Sequence, residues 1–166
     1  MAGKKRKQTT PKATRPKMQG YGLPKGKKGL LAWKWADTRL RKSHNYWIAT
    51  SRPDGRPHLM IVWGLWRDGA FYFCTGKTSR KARNLSANAW CVIGSEQAEQ
   101  AVIVEGEAKL VTDAALRGSF GKLYQKKYKW DMEGFTEPLY VVHPRVAFGF
   151  WENNFVNTAT RWQFRG

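Results

Sequence analysis

Three things are scarce in this chain of 166 residues: acidic side chains near its start, cysteine, and long apolar runs. No Asp or Glu precedes Asp37, and the whole sequence holds 12 of them against 30 Lys+Arg. The two cysteines, Cys74 and Cys91, lie in apolar strand-like runs without metal-ligand spacing. A disulfide framework needs more of them and a secretory context, so both are expected to be reduced core thiols. No apolar run reaches the length of a signal peptide or a membrane span, which leads to the expectation of a soluble, cytoplasmic protein without membrane contact.

Motifs of protein-based catalysis are missing too. There is no Gly-x-Ser-x-Gly elbow. His44, His58 and His143 are scattered without metal-ligand spacing, so no metal site is expected. Glu105 and Glu107 stand two apart on a strand, the spacing of a solvent face. Gly76-Lys77-Thr78 resembles the end of a phosphate-binding loop, but that motif needs a glycine five residues earlier, where Phe71 stands. No catalytic residue can be named, and an enzyme built on this chain would take its chemistry from a bound cofactor.

Positive charge and aromatic surface are what the chain has in excess. The net charge is +18, and ten of the cations fall between Met1 and Lys28; the rest of the chain holds 20 Lys+Arg against 12 Asp+Glu, a net +8. Residues 1–28 have the composition of a disordered basic arm, leaving 29–166 as one domain. The arm is either a solubilising tail or a weak polyanion contact: nucleic acid, an acidic partner or a polyanionic cofactor tail. The 9 Trp in an aromatic fraction of 14% suggest flat apolar surfaces that stack on a ligand or pair between subunits.

Periodicity gives about seven strands and two or three helices. A short helix is expected over Ala36–His44, then a strand from Tyr46 to Thr50 closing on the Pro53-Asp54-Gly55 hairpin. His58–Trp66 reads as one long strand, apolar on both parities, as in a barrel wall covered from outside by a second subunit. Asp68-Gly69 turns the chain into a return strand, Ala70–Thr75. Strands follow over Ala89–Gly94 and from Ala101 to Val111, with a bulge at Gly106. Asp113 caps a helix that runs to about Lys127, with Leu116, Phe120 and Leu123 inward and Lys122, Lys126, Lys127 and Lys129 solvated. Leu139–Val142 and Val146–Trp151 are late strands interrupted at His143-Pro144-Arg145, and Thr158–Phe164 is the last. The pattern is that of a mainly β, α+β fold: a small antiparallel barrel with accessory helices.

The sharpest local feature is Thr75–Leu85. Ser79 is placed as an N-cap, and Arg80, Lys81 and Arg83 occupy the first turn, the wrong end of a helix dipole for unpaired cations. The combination makes physical sense with an anion, most naturally a phosphate, held among them.

Here the residues resemble a known family. The order of strand, Pro-Asp-Gly hairpin, apolar strand, Asp-Gly hairpin, Phe71-Tyr72-Phe73-Cys74-Thr75 and Ser79-Arg80-Lys81 is similar to the pyridoxamine 5′-phosphate oxidase-like flavin split-barrel superfamily, over roughly Tyr46–Phe164. The resemblance implies an antiparallel split β-barrel, homodimeric, with the cofactor at the subunit interface. It implies that Ser79, Arg80 and Lys81 grip the cofactor phosphate, that His58, Leu59, Met60, Ile61 and Val62 run along the ring, and that Thr75 contacts the cofactor. Trp151 and Arg161, ten apart, match a family pair that closes on FMN. The implied activity is hydride transfer between FMN, or the 5-deazaflavin coenzyme F-420, and a small organic substrate. The family's cationic clamp for the vitamin phosphate would fall at Asn157 and Ala159, neither of them a cation, so oxidation of pyridoxine or pyridoxamine phosphate is not expected. Two other functions stay open: a non-enzymatic basic barrel that binds nucleic acid, and a haem- or flavin-binding storage or sensor protein on the same fold.

Overall fold

Hydrogen bonding in the computed structural model, which describes residues 10–165, gathers nine strands and four α-helices into an α+β architecture, consistent with a split barrel. In chain order these are β1 (Lys12–Thr14), α1 (Trp33–Lys42), β2 (Asn45–Ser51), β3 (Pro57–Trp63), β4 (Leu65–Arg67), β5 (Ala70–Cys74) and α2 (Arg80–Ala87). They continue with β6 (Trp90–Ser95), β7 (Val102–Leu110), α3 (Ala114–Tyr128), β8 (Leu139–Gly149), α4 (Phe155–Thr158) and β9 (Thr160–Gln163). The antiparallel sheet runs β1-β9-β8-β7-β6-β2-β3, with β5 joining β4 to the first half of β8.

β8 is what splits the barrel. Its residues 139–142 pair with β5, residues 146–149 pair with β9, and β7 follows its whole length. The expected interruption at His143-Pro144-Arg145 is instead a change of partner inside one strand. Pro144 is tolerated there because it sits opposite Gly106 at the register shift between Glu105 and Gly106, where the ladder is already broken. A Cβ at Gly106 would lie 2.3 Å from the His143 carbonyl oxygen, so the close approach of β7 to β8 requires glycine.

Alternation puts one residue row inside. Ile48, Ile93, Val104, Ala147 and Trp162 stand side by side across β2, β6, β7, β8 and β9, all fully buried. The opposite face carries Ile61, Trp47, Gly94, Ile103, Phe148 and Arg161 in a neighbouring row. Burying the first row excludes apolar surface worth about 25 cal/mol per Å² from water. The second leaves an apolar band on the surface.

Four expectations need correction. The basic arm is not wholly free: Lys12–Thr14 pair with β9, in the register Lys12 to Gln163 and Thr14 to Arg161. Residues 1–9 lie outside the described residues. The long strand over His58–Trp66 is two strands broken at Gly64, where a Cβ would meet the Phe71 ring at 2.3 Å and the Tyr72 carbonyl oxygen at 2.7 Å. On α3 the buried stripe is Phe120, Tyr124 and Tyr128, while Leu123 faces solvent.

Lys127 is the fourth. Its Nζ donates to the carbonyls of Ser43 (2.6 Å) and Gly64 (3.0 Å) and to the Tyr46 hydroxyl (3.1 Å), and is half-buried rather than solvated. Burial lowers its pKa to about 8, with Glu96 pulling the other way. An unfolded lysine keeps its proton to about pH 10.4. Between about pH 8 and 10 the unfolded chain therefore binds more protons, and stability from this group rises with pH. Thermal melts of the wild type and Lys127→Met are expected to diverge in the wild type's favour over that window; parallel curves would contradict a depressed amine.

Candidate functional site

The first turn of α2 is built as expected. Ser79 caps it from an extended backbone, its Oγ accepting from the Ala82 amide at 3.1 Å and lying 3.0 Å from the Thr75 hydroxyl. The Ser79 amide donates to Gly76 and its carbonyl accepts from Arg83. Capping occupies one end donor, and the Arg80 and Lys81 amides have no acceptor within the helix.

Side chains from three other segments converge on this end. Asn84, fully buried on α2, donates from Nδ2 to the Thr50 hydroxyl on β2 at 2.9 Å. Thr50 Oγ1 lies 3.5 Å from His58 Nδ1 at the start of β3. Burial, then Lys81, Arg52 and Arg80, hold the His58 imidazole below the ordinary histidine range. His58 is thus a neutral ring at pH 7, facing three cations from two elements. Burial also lowers the Lys81 amine. Asp54 is the acid beside them: its carboxyl is held low first by the Arg56 side chain and amide, and also by Arg52 and Arg80. Arg56 holds it at 2.7 Å, so it is already committed.

Two buried polar atoms here have no partner, Arg52 Nε and Asn84 Oδ1. With the free amides of α2 and the uncompensated charge of Arg52, Arg80 and Lys81, they make a cradle whose donors outnumber its acceptors. A phosphate fits that donor set. Arg52 and Asn84 were not among the site residues expected from sequence. A buried Asn inward of a basic first turn is the sequence signal that points to Asn84.

The other expected residues fall in two groups. Leu59, Met60 and Ile61 are about half exposed, on a strand that is the free edge of the sheet beyond β2. Val62 is not available as a lining side chain: it is buried in the main core, because the pleat turns it inward beside Tyr46. Thr75 is buried, with its hydroxyl on Ser79. Trp151 is exposed, leading into a 3₁₀ turn (Glu152–Asn154), and its amide donates to Thr158 Oγ1 at 3.0 Å. Arg161 lies on β9, its Nη1 donating to Gln163 Oε1 at 3.3 Å.

Trp151 and Arg161 are therefore not beside Arg80 and Lys81 in one chain. β9 is five strand steps from β3 in the sheet order, roughly 24 Å along the sheet. Asn157 and Ala159 offer their carbonyls to the Arg15 guanidinium, at 2.6 and 3.1 Å.

No nucleophile competes for the site. Burial pushes both thiols up to about 12, so Cys74 and Cys91 stay protonated and unreactive at neutral pH. No group of three His, Cys, Asp or Glu among the described residues could hold a metal ion. No helix among them is long and apolar enough to cross a membrane.

Comparison with known proteins agrees with this architecture. A conserved hypothetical protein from Mycobacterium tuberculosis superposes with a TM-score of 0.67 at 20% identity, over 76% of this chain and 88% of its own. An F-420 reductase does so with 0.57 at 22% identity, over 67% and 94%. A haem storage protein from Vibrio cholerae gives 0.57 at 16% identity, over 66% and 87%. No curated protein matches the sequence. The sequence pattern described as Pyridoxamine 5′-phosphate oxidase, by contrast, matches residues 33–149, from the first turn of α1 to the end of β8. The chain belongs to the pyridoxamine 5′-phosphate oxidase family.

Proposed function

We propose that this protein is a flavin-dependent oxidoreductase, which binds FMN or the deazaflavin coenzyme F-420 and passes hydride between its ring and a small organic substrate. The observation that carries this reading is the cluster of Arg52, Arg80 and Lys81 around the open end of α2, beside a neutral His58. The family membership and the likeness to an F-420 reductase point the same way.

In this reading Arg80, Lys81 and the α2 amides hold the phosphate, with charge-assisted bonds about twice as strong as neutral ones. The unpaired edge of β3 offers backbone N–H and C=O groups to the rim of a flat ring, and Leu59 and Ile61 keep water from its face. The cofactor supplies the hydride chemistry, so the chain needs no acid–base pair of its own. A second copy of this chain covers the apolar band from Ile61 to Phe148 and brings its own Trp151 and Arg161 to the ring.

A carrier without catalysis is the second reading. It is favoured by the absence of an acid–base pair among the described residues at the site and by the likeness to a haem storage protein. Titration of cofactor-free protein with FMN, F-420 and haemin, followed by absorbance and sedimentation, separates the oxidoreductase from a haem carrier. The expected result is a dimer that binds one flavin or deazaflavin per chain at micromolar concentrations and bleaches when a reductant for that cofactor is added. Binding of haemin alone, or of none of the three, would overturn the oxidoreductase.

A further inference from the structure

Trp151 and Arg161 stand at the two ends of one short segment. Between them lie the 3₁₀ turn (Glu152–Asn154) and α4, a single turn of four residues. One turn does not hold itself, because the first hydrogen bond of a helix fixes several residues at a net cost. Thr158 ties the start of the segment to its end, its Oγ1 accepting from the Trp151 amide and donating to the Asn154 carbonyl. Most of the rest, from Trp151 to Asn154 and again at Val156 and Asn157, is exposed.

The N-terminal segment supplies the missing support. Thr14 pairs with Arg161 and donates from Oγ1 to its carbonyl at 3.4 Å. The Leu31 amide donates to Thr160 Oγ1 at 2.9 Å. Gly29, at φ +85°, lies so close to Asn157 that a Cβ would stand 2.7 Å from its carbonyl oxygen. Arg15 locks these contacts together. Its Nη1 donates to the Asn157 carbonyl at 2.6 Å and to that of Ala159 at 3.1 Å, while Nη2 donates to Lys28. The first two acceptors lie at the C-terminal end of α4, where carbonyls have no partner along the helix. A planar fork with fixed donor directions spans all three; a lysine ammonium, a point donor on a flexible stem, does not. The Arg15 Nε is buried without a partner, so this placement is kept in spite of an unsatisfied donor.

We propose that Arg15 is a positioning residue of the cofactor site. Through Asn157 and Ala159 it sets the 151–161 segment so that Trp151 and Arg161 together meet the ring held by the second copy. The proposal rests on the oxidoreductase reading for what the two side chains close upon; the hold of Arg15 on the segment does not depend on it. The N-terminal segment thereby acts on the site from behind.

Titration of the full chain with FMN, or with F-420 where only that binds, tests this through the emission of the bound cofactor, which an adjacent indole quenches. Arg15→Gln should weaken binding at least fivefold and raise the emission of bound cofactor at least twofold. Arg15→Lys, which keeps the charge without the fork, should lose as much. Lys17→Gln, exposed two residues on, should change neither reading. In a Trp151→Ala background, Arg15→Gln should shift affinity less than twofold, because the residue acts through the one already removed. Full affinity in Arg15→Lys, unchanged emission in Arg15→Gln, or an equal loss with and without Trp151 would each overturn the proposal. If neither cofactor binds the wild type, the oxidoreductase reading falls by itself. Amide hydrogen exchange over residues 157–161 then decides the rest: at least tenfold faster exchange in Arg15→Gln upholds the hold of Arg15, and unchanged exchange overturns it.

Discussion

Replacing Trp162 by alanine is expected to lower the unfolding free energy by about 3 kcal/mol, the low end of the range for deleting a buried indole. Trp162 is fully buried and meets the Trp33 ring edge-on at 5.4 Å. It packs so closely on β8 that a Cβ at Gly149 would come within 2.7 Å of the indole. Walls this rigid cannot collapse into the space an alanine leaves, which argues against a smaller loss. The opposing effect is that the indole Nε1 is buried without a partner, so its removal also relieves an unsatisfied donor. Cavity formation wins, because it involves every atom of the ring whereas the donor is a single group. Urea titration should show the midpoint falling with little change in slope, and Trp162→Phe should lose less than half as much. A loss below about 1 kcal/mol would mean the β8–β9 wall is far softer than its packing implies.

The second large effect concerns ligand affinity. Arg80→Ala is expected to weaken FMN or F-420 binding by about 1.5–3 kcal/mol, the scale of a lost charge-assisted hydrogen bond. Arg83 is the informative control. It shares the helix turn, and so the dipole, and is exposed like Arg80, but it does not perturb His58 or Asp54 as Arg80 does. Arg83→Ala should cost no more than a few tenths of a kcal/mol, the size of a screened dipole contribution. Equal losses in both variants would mean that the anion feels the general positive field of α2. No loss in either would place the anion elsewhere.

Much of this architecture is legible in the sequence wherever the controlling rule is local. Ser79 and Asp113 are caps because short side chains reach the amide three residues on, and both do. Gly55 and Gly69 sit at positive φ in the two hairpins that Asp-Gly announces. Gly106 marks its bulge by interrupting an apolar alternation. The failures share a different cause. β1 leaves no signal in the sequence, because a three-residue strand in a lysine-rich segment has no periodicity of its own and its partner lies 147 positions away. Gly64 breaks a strand that looks continuous, because the space it vacates is filled by Phe71 from the next hairpin. Lys127 falls on the polar side of α3 by helical spacing, yet the carbonyls of Ser43 and Gly64 come to meet it. Arg52 and Asn84 join the site only because β2, β3 and α2 converge.

The pairing of β1 with β9 has a consequence for how the molecule is made. Among the described residues β1 pairs with β9 alone, so a chain emerging from the ribosome must carry Lys12–Thr14 unpaired until residues 160–163 are available. Joining segments so far apart costs only about 0.6 kcal/mol more per doubling of the loop, so distance is no obstacle once both exist. Timing is the constraint. A polypeptide released before β9 has no seat for β1. The fold thus leaves β1 without its place in the sheet until β9 has been made.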